Sequence, residues 1–182
     1  MARRIPHRQA RSGKVTQSNA VLPVSLIIIA AGLGYYVYKY WTTPPPPAII
    51  GKAWVIDGDT IIISDTHIRL DGIDAPESDQ TCTDAKGKTW SCGSAATNEL
   101  RAHIRGNELT CHRRAVDKYQ RVIAVCSLPD GSDINAWMVQ QGWAIAYGFA
   151  KTYESEEAEA EAAKRGIWAG TFVSPSQWRQ NK

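Results

Sequence analysis

The chain has 182 residues, is 43% hydrophobic with seven Trp, and carries a formal net charge of +3, a size that suits one domain with a sizeable core plus an appendage. Six of the 21 basic residues precede Ala48 and no acid precedes Asp57, so the remainder holds 15 basic against 18 acidic residues, a net charge of −3. That balance excludes a generally basic surface of the kind that binds polyanions without specificity.

The first segment, residues 1–19, is positively charged through Arg3, Arg4, Arg8, Arg11 and Lys14. Between Lys14 and Lys39 lie 24 residues without a formal charge, and they predict a transmembrane helix over 20–41, with Tyr35, Tyr36, Tyr38, Tyr40 and Trp41 crowding its far end as an interfacial belt. The basic end marks the cytoplasmic side, so the sequence predicts a single-pass protein whose remaining domain is periplasmic or extracellular. A cleaved signal peptide is the competing reading, with Ala30 and Ala31 as small residues. The Pro-rich stretch 42–49, with Pro44 to Pro47 consecutive, reads as an extended stalk.

A globular domain then runs over 50–170. Asp57-Gly58-Asp59 reads as an Asp-Gly turn with positive φ that pairs the apolar run before it with Thr60 to Ile63. His67 to Ile73 reads as a third strand, in which period two sends Arg69 to the face opposite Ile68 and Leu70. Residues 78–91 read as an exposed loop, and 94–104 as a helix ended by Gly106. Residues 108–116 and 122–128 read as strands, Asp133 to Gln141 as a helix with Asp133 at its N-cap, and 154–165 as a last helix with acids early and Lys164 and Arg165 late. The order is three strands, a helix, two strands and two helices, an α+β, mainly β chain that suits a five-stranded barrel with about three helices outside it. The tail 171–182 carries no functional signal.

All four cysteines, Cys82, Cys92, Cys111 and Cys126, follow the apolar segment, and no pair has CxxC spacing, so disulfides in an oxidising compartment are the default. Cys111 and Cys126 on neighbouring strands, and Cys82 with Cys92 across a local loop, are one of three possible pairings. The stretch from Trp54 to Glu77 compresses six carboxylates and one arginine. Asp57, Asp59, Asp74 and Glu77 near Arg69 are costly without a cation, and their hard oxygens suit Ca²⁺ or Mg²⁺ over zinc. The plain alternative is a hairpin turn with solvated acids.

Three segments, IDGDT (Ile56 to Thr60), IRLDGIDAPE (Ile68 to Glu77) and DKYQR (Asp117 to Arg121), resemble in order the signature segments of the staphylococcal nuclease (thermonuclease) family. AWMVQQGWAIAY (Ala136 to Tyr147) and AEAAKRGIW (Ala160 to Trp168) are similar to its two later helical segments. The resemblance implies an OB-fold and a Ca²⁺-dependent nuclease of DNA and RNA, single strands preferred, that cleaves the 5′ P–O bond to leave 3′-phosphates. It implies Asp59, Asp74 and the backbone carbonyl of Ala75 as metal ligands, with Asp57 acting through water. Arg69 and Arg121 match the arginines that grip the phosphate, and Glu77 the carboxylate that orients or deprotonates the attacking water. Tyr119 matches a sugar or phosphate contact and Tyr147 an aromatic stacking position, with a core role as its alternative. Ala75 stands where Thr is usual, and Gln120 where the family has Gly. The rival function is a catalytically inactive OB-fold module that binds nucleic acid or an envelope ligand; a role in envelope polysaccharide metabolism on the same scaffold is a third reading. No segment calls for a protein partner.

Overall fold

A computed structural model describes residues 24–42, 44–148 and 152–181, and the chain divides between Pro45 and Pro46 into two units. In the first unit one helix is described, α1 (Val24–Thr42), with exposed side chains at its described positions and the Thr42 hydroxyl donating to the Tyr38 carbonyl at 2.8 Å. The transmembrane span expected at 20–41 is not found: among the described residues no helix is long and apolar enough to cross a membrane. Lys39 and four tyrosines in the second half of α1 dilute its apolar character. The basic segment 1–19 and the first four residues of the expected span lie outside the described residues.

In the second unit the strands are β1 (Ile49–Lys52), β2 (Trp54–Val55), β3 (Thr60–Ile63), β4 (Thr66–Leu70), β5 (Ile73–Asp74), β6 (Cys82–Thr83), β7 (Thr89–Trp90), β8 (Glu108–Val116), β9 (Val122–Ser127) and β10 (Ile145–Ala146). The helices are α2 (Cys92–Ile104), α3 (Ile134–Gln140), α4 (Glu154–Ala162) and α5 (Pro175–Gln180), with a 3-10 turn at Gly166–Ala169. Six strands in the order β1-β8-β9-β4-β3-β2 curl into a nearly closed barrel, not the five expected, because Ile49–Lys52 adds an edge strand against β8. All neighbours are antiparallel except β4 and β9. The core is Ile61, Ile63, Ile68 and Leu70 from β3 and β4, Leu109, Val122 and Ala124 from β8 and β9, and Ala96, Leu100, Ile134 and Met138 from α2 and α3.

The alternation in β4 holds: Ile68 and Leu70 are buried and Arg69 lies on the other face. The expected third strand is split, since Gly72 at φ +75° turns the chain and frees Ile73 and Asp74 to pair with Ile145 and Ala146. β2 and β3 pair as expected, but Gly58 is not at positive φ; the left-handed residues are Ser64 and Asp65 in the β3-β4 turn. Gly58 is needed for closeness, because a Cβ there would lie 2.6 Å from that of Ala75. Residues 78–91 are not an open loop but hold the β6-β7 hairpin, whose strands are too short for sequence periodicity to show. At α3, Asp133 caps as expected, accepting from the amides of Asn135 and Ala136.

Both disulfides form, Cys82 with Cys92 and Cys111 with Cys126. Cys111 and Cys126 are register partners across β8 and β9, so the bond closes a chain loop already closed by strand pairing. With a sequence separation of 15, replacing both by Ala should lower the unfolding free energy by about 3 kcal/mol, measured by urea denaturation at constant m-value. A loss below the error of that measurement would show that the ladder alone fixes the hairpin.

Candidate active site

β4 holds Arg69 between β3 and β9, opposite Thr60 and Ile123, so its guanidinium leaves the barrel wall at a fixed height. Its fork spans two acids: Nη1 donates to Asp59 Oδ1 at 2.7 Å and Nη2 to Asp74 Oδ1 at 2.8 Å. Asp59 is 4% exposed and Asp74 fully buried. Asp59 is pinned from four sides: its amide donates to Asp57, its carbonyl accepts from the Leu70 amide, and its carboxylate accepts from the Thr60 hydroxyl and the Ala75 amide. The near-contact of Gly58 with Ala75 lets the two segments approach closely enough for that last bond, at 3.2 Å.

Burial pushes the Asp59 carboxyl up to about 7, with Arg69 opposing and Asp57 and Asp74 reinforcing the rise. Burial also works against the charge on Arg69, but Asp59 and Asp74 outweigh it and hold that guanidinium above its ordinary value. The two buried acids and Arg69 therefore form an electrostatic unit, and removing Arg69 would leave Asp59 without its cation.

Glu77 follows Pro76 and is fixed by its main chain. A Cβ at Gly93 would come 1.6 Å from the Glu77 carbonyl oxygen, so only glycine lets the start of α2 lie there. The buried Gln80 accepts from the Glu77 amide through its side chain, and its own amide donates to the Glu77 carbonyl.

Arg121 is placed by the turn after β8. Asp117 Oδ1 accepts from the amides of Tyr119 and Arg121, and Asp117 Oδ2 accepts from Arg121 Nε at 2.7 Å. Gln120 sits at φ +65°, so the chain keeps a left-handed turn at the cost of a non-glycine residue in that region. The Arg121 guanidinium lies 5.6 Å from the centre of the Tyr119 ring. Tyr119 and Tyr147 are 68% and 54% exposed, so Tyr147 is not a core residue. A cleft of about 1040 Å³ gathers Asp57, Asp59, Arg69, Ala75, Glu77, Tyr119, Arg121 and Tyr147 on its walls, together with His67, Arg113, Lys118 and Arg179. Of the sequence-predicted residues, Asp74 alone is not on the surface of that cleft; it lies beneath, behind the arginines.

The residue that sequence reasoning missed is Arg179. From α5 it donates to both oxygens of Asp74 at 3.0 Å and to Glu77 Oε1 at 2.7 Å. The hydrogen bonds to Asp74 and Glu77 hold its guanidinium above its ordinary value, against the cost of partial burial. The signal that marks its helix was present: Ser174 at the N-cap, accepting from the Gln177 amide, and Pro175 at the first helical position.

Among the described residues no group of three or more His, Cys, Asp or Glu side chains converges as a ligand set for a metal ion. The donor chemistry nevertheless fits a hard divalent cation, since Asp59 and Asp74 are buried oxygen donors within reach of one cationic group and Asp57 and Glu77 border them. Main-chain oxygen and water would complete such a shell, whose carboxylates Arg69 and Arg179 hold in this structure.

The family model described as staphylococcal nuclease homologue matches residues 67–170. The chain belongs to this family. Among its relatives, the succinoglycan biosynthesis protein ExoI of Rhizobium meliloti is 33% identical over 171 residues, covering 91% of this chain and 83% of its own. An uncharacterized endonuclease of Escherichia coli is 32% identical, covering 70% of this chain and 82% of its own. A micrococcal nuclease of Shigella flexneri is 32% identical, covering 69% and 77% respectively. Because the family match begins at His67, the turn bearing Asp57 and Asp59 lies ahead of it and is tied to it by Arg69.

Two predictions follow from this geometry. Asp59 is protonated more readily folded than unfolded, so its contribution to stability is complete below about pH 4 and lost as pH rises through about 7. In metal-free buffer the stability of the parent relative to Asp59→Asn should therefore fall between pH 4 and 8 by on the order of 4 kcal/mol, read from urea midpoints at each pH. A flat difference would contradict the burial of an ionisable carboxyl there. Gln120→Gly should raise the unfolding free energy by about 1 kcal/mol by relieving the left-handed residue, and a loss of stability would show that the turn gains more from the Gln side chain.

Proposed function

We propose that this protein hydrolyses phosphodiesters: an endonuclease of the thermonuclease type acting on DNA and RNA, single strands preferred, with Ca²⁺ as its metal and 3′-phosphate products. One observation carries the reading. Arginines 69 and 121 and the acids Asp59 and Glu77 come from separate strands and turns yet line one polar cleft, with Asp74 buried against Arg69 behind it. The names of the Escherichia coli and Shigella flexneri relatives support it.

A phosphodiester is a monoanion that gains negative charge as water attacks, so cationic donors fixed in advance favour the transition state over the bound substrate. Arg121, held through Nε by Asp117, presents a planar guanidinium suited to two phosphate oxygens. Arg69 faces the same cleft with its charge shared between two acids. Glu77, on the rim and one-third exposed, is the carboxylate available to orient a water and take its proton. Tyr119 and Tyr147 offer exposed rings for the sugar and base. Ca²⁺, when bound by Asp59, Asp74 and the Ala75 carbonyl with Asp57 through water, would supply positive charge at the phosphate. His67, Arg113, Lys118 and Arg179 add local positive charge, which is how a domain of net charge −3 would accept a polyanion.

The same reading places the domain outside the cytoplasm, on the far side of a membrane that α1 and the residues before it address. Two disulfides engaging all four cysteines support an oxidising compartment, and the basic segment ahead of an uncharged one supports the direction of export. A second reading, a binding module serving envelope polysaccharide, has one observation in its favour: the relative named for succinoglycan biosynthesis aligns over 91% of this chain.

One assay separates them. The full chain should cleave single-stranded DNA and RNA in millimolar Ca²⁺, not in chelator, and end-group analysis should show 3′-phosphates. Arg121→Ala and Glu77→Gln should each lower kcat/KM by about a hundredfold or more without changing the thermal unfolding midpoint by more than a few degrees. Arg69 is unsuitable for this purpose because it also neutralises the buried acids. A folded chain that cleaves neither polymer with any divalent ion would favour the binding module.

A further inference from the structure

Residues 171–181 follow a fixed route to the cleft. After the 3-10 turn, Thr171 pairs in both directions with Thr83 at 2.9 Å, next to the Cys82-Cys92 bond, and Phe172 meets Trp168 edge-on at 5.0 Å. The fully buried Gln80, whose carbonyl-side oxygen holds the Glu77 amide, donates through Nε2 to the Val173 carbonyl at 2.7 Å. Pro175 is buried at the first turn of α5. The segment thus touches the same turn that fixes Glu77, and α5 delivers Arg179 onto Asp74 and Glu77 with three charge-assisted hydrogen bonds.

Each oxygen of Asp59 and Asp74 already accepts a hydrogen bond. Asp59 Oδ1 faces Arg69 and Thr60, Asp59 Oδ2 the Ala75 amide, Asp74 Oδ1 both arginines, and Asp74 Oδ2, among the described residues, Arg179. A guanidinium cannot shed its proton, so while Arg179 stays in place its fixed positive charge competes with a divalent ion for Asp74 Oδ2 and Glu77 Oε1. Movement is feasible for Arg179 and not for Arg69. The Arg179 side chain is 39% exposed against 19%, and it belongs to a six-residue helix, whereas Arg69 sits within a strand paired on both sides. Among the described residues the buried indole N–H of Trp178 has no partner, and it would gain a hydrogen bond from water if α5 lifted.

We propose that Arg179 is a tethered cation that occupies the Asp74 and Glu77 oxygens in competition with the divalent ion, and so sets the metal affinity of the site. The inference rests on the reading that these carboxylates bind a divalent cation, and it makes the C-terminal helix a counter-ion that the metal displaces.

The test is calorimetric titration of Ca²⁺ into the metal-free full chain, for the parent, Arg179→Ala and Arg179→Lys. Arg179→Ala should bind about tenfold more tightly than the parent, and Arg179→Lys, which keeps the charge but loses the fork, should lie between. The parent offers a second readout independent of any variant's folding: trimming of the C-terminus by a serine carboxypeptidase should be faster in Ca²⁺ than in chelator, because the ion releases α5. Equal or weaker binding by Arg179→Ala, or trimming that Ca²⁺ leaves unchanged or slows, overturns the inference while leaving the metal reading intact. If no variant binds Ca²⁺ up to about 10 mM, beyond the range of weak protein sites, the metal reading falls and this inference with it.

Discussion

Two buried carboxylates of one sign cannot stay charged in a protein interior without a cation between them, and Arg69 is that cation. Asp59 and Asp74 come from segments fifteen residues apart, and the Arg69 guanidinium spans both, with Arg179 adding a second cation on Asp74. Much of the local architecture follows from that requirement. β4 must run between two partners so that Arg69 leaves the wall at one height, Gly58 must lack a side chain so that Ala75 can approach Asp59, and Asp74 must pair in β5 against β10 to face back toward the barrel. The balance is deliberately incomplete, in the sense that burial still lifts the Asp59 carboxyl to about 7, and a centre short of positive charge suits a site that takes cations and anions together.

Around this centre the cleft is assembled from parts with their own local support. The Asp117 carboxylate organises its turn so that Arg121 arrives with one edge already engaged, and the left-handed Gln120 shows that the turn is worth its strain. Glu77 is held by Gln80 and by the bare backbone of Gly93. Both disulfides reinforce these supports, one across the β8-β9 hairpin that leads into Arg121, the other beside the turn that carries Glu77. A small barrel with short strands gains rigidity at the site itself from such local ties.

Several features were legible in the sequence because their causes are local. The alternation of Ile68, Arg69 and Leu70, the cap at Asp133, the paired strands on either side of Asp57-Gly58-Asp59 and the neighbouring Cys111 and Cys126 each depend on residues close in the chain. The family resemblance added the identity of the cleft residues before any contact between them was visible. Errors arose where the cause was distant. The β6-β7 hairpin is two residues per strand and is held by a disulfide and by Thr171, nearly ninety positions on, so no periodicity announces it. An uncharged run of 24 residues suggested a membrane span, yet among the described residues no helix is long and apolar enough to cross one, and α1 bears Lys39 and several tyrosines.

What the sequence determined by itself was chemistry: which side chains can bear charge, accept a hard cation or grip a phosphate, and which turns and strands carry them. Only the tertiary structure decided which of those groups share a field. Arg179 shows the difference, since a single arginine in a polar tail carries no signal of its partners, and its bonds to Asp74 and Glu77 reach across 105 and 102 residues. The physical reason is that hydrogen-bond chemistry is written in residue types, whereas electrostatic competition for one carboxylate depends on distances that the folding of the whole chain sets.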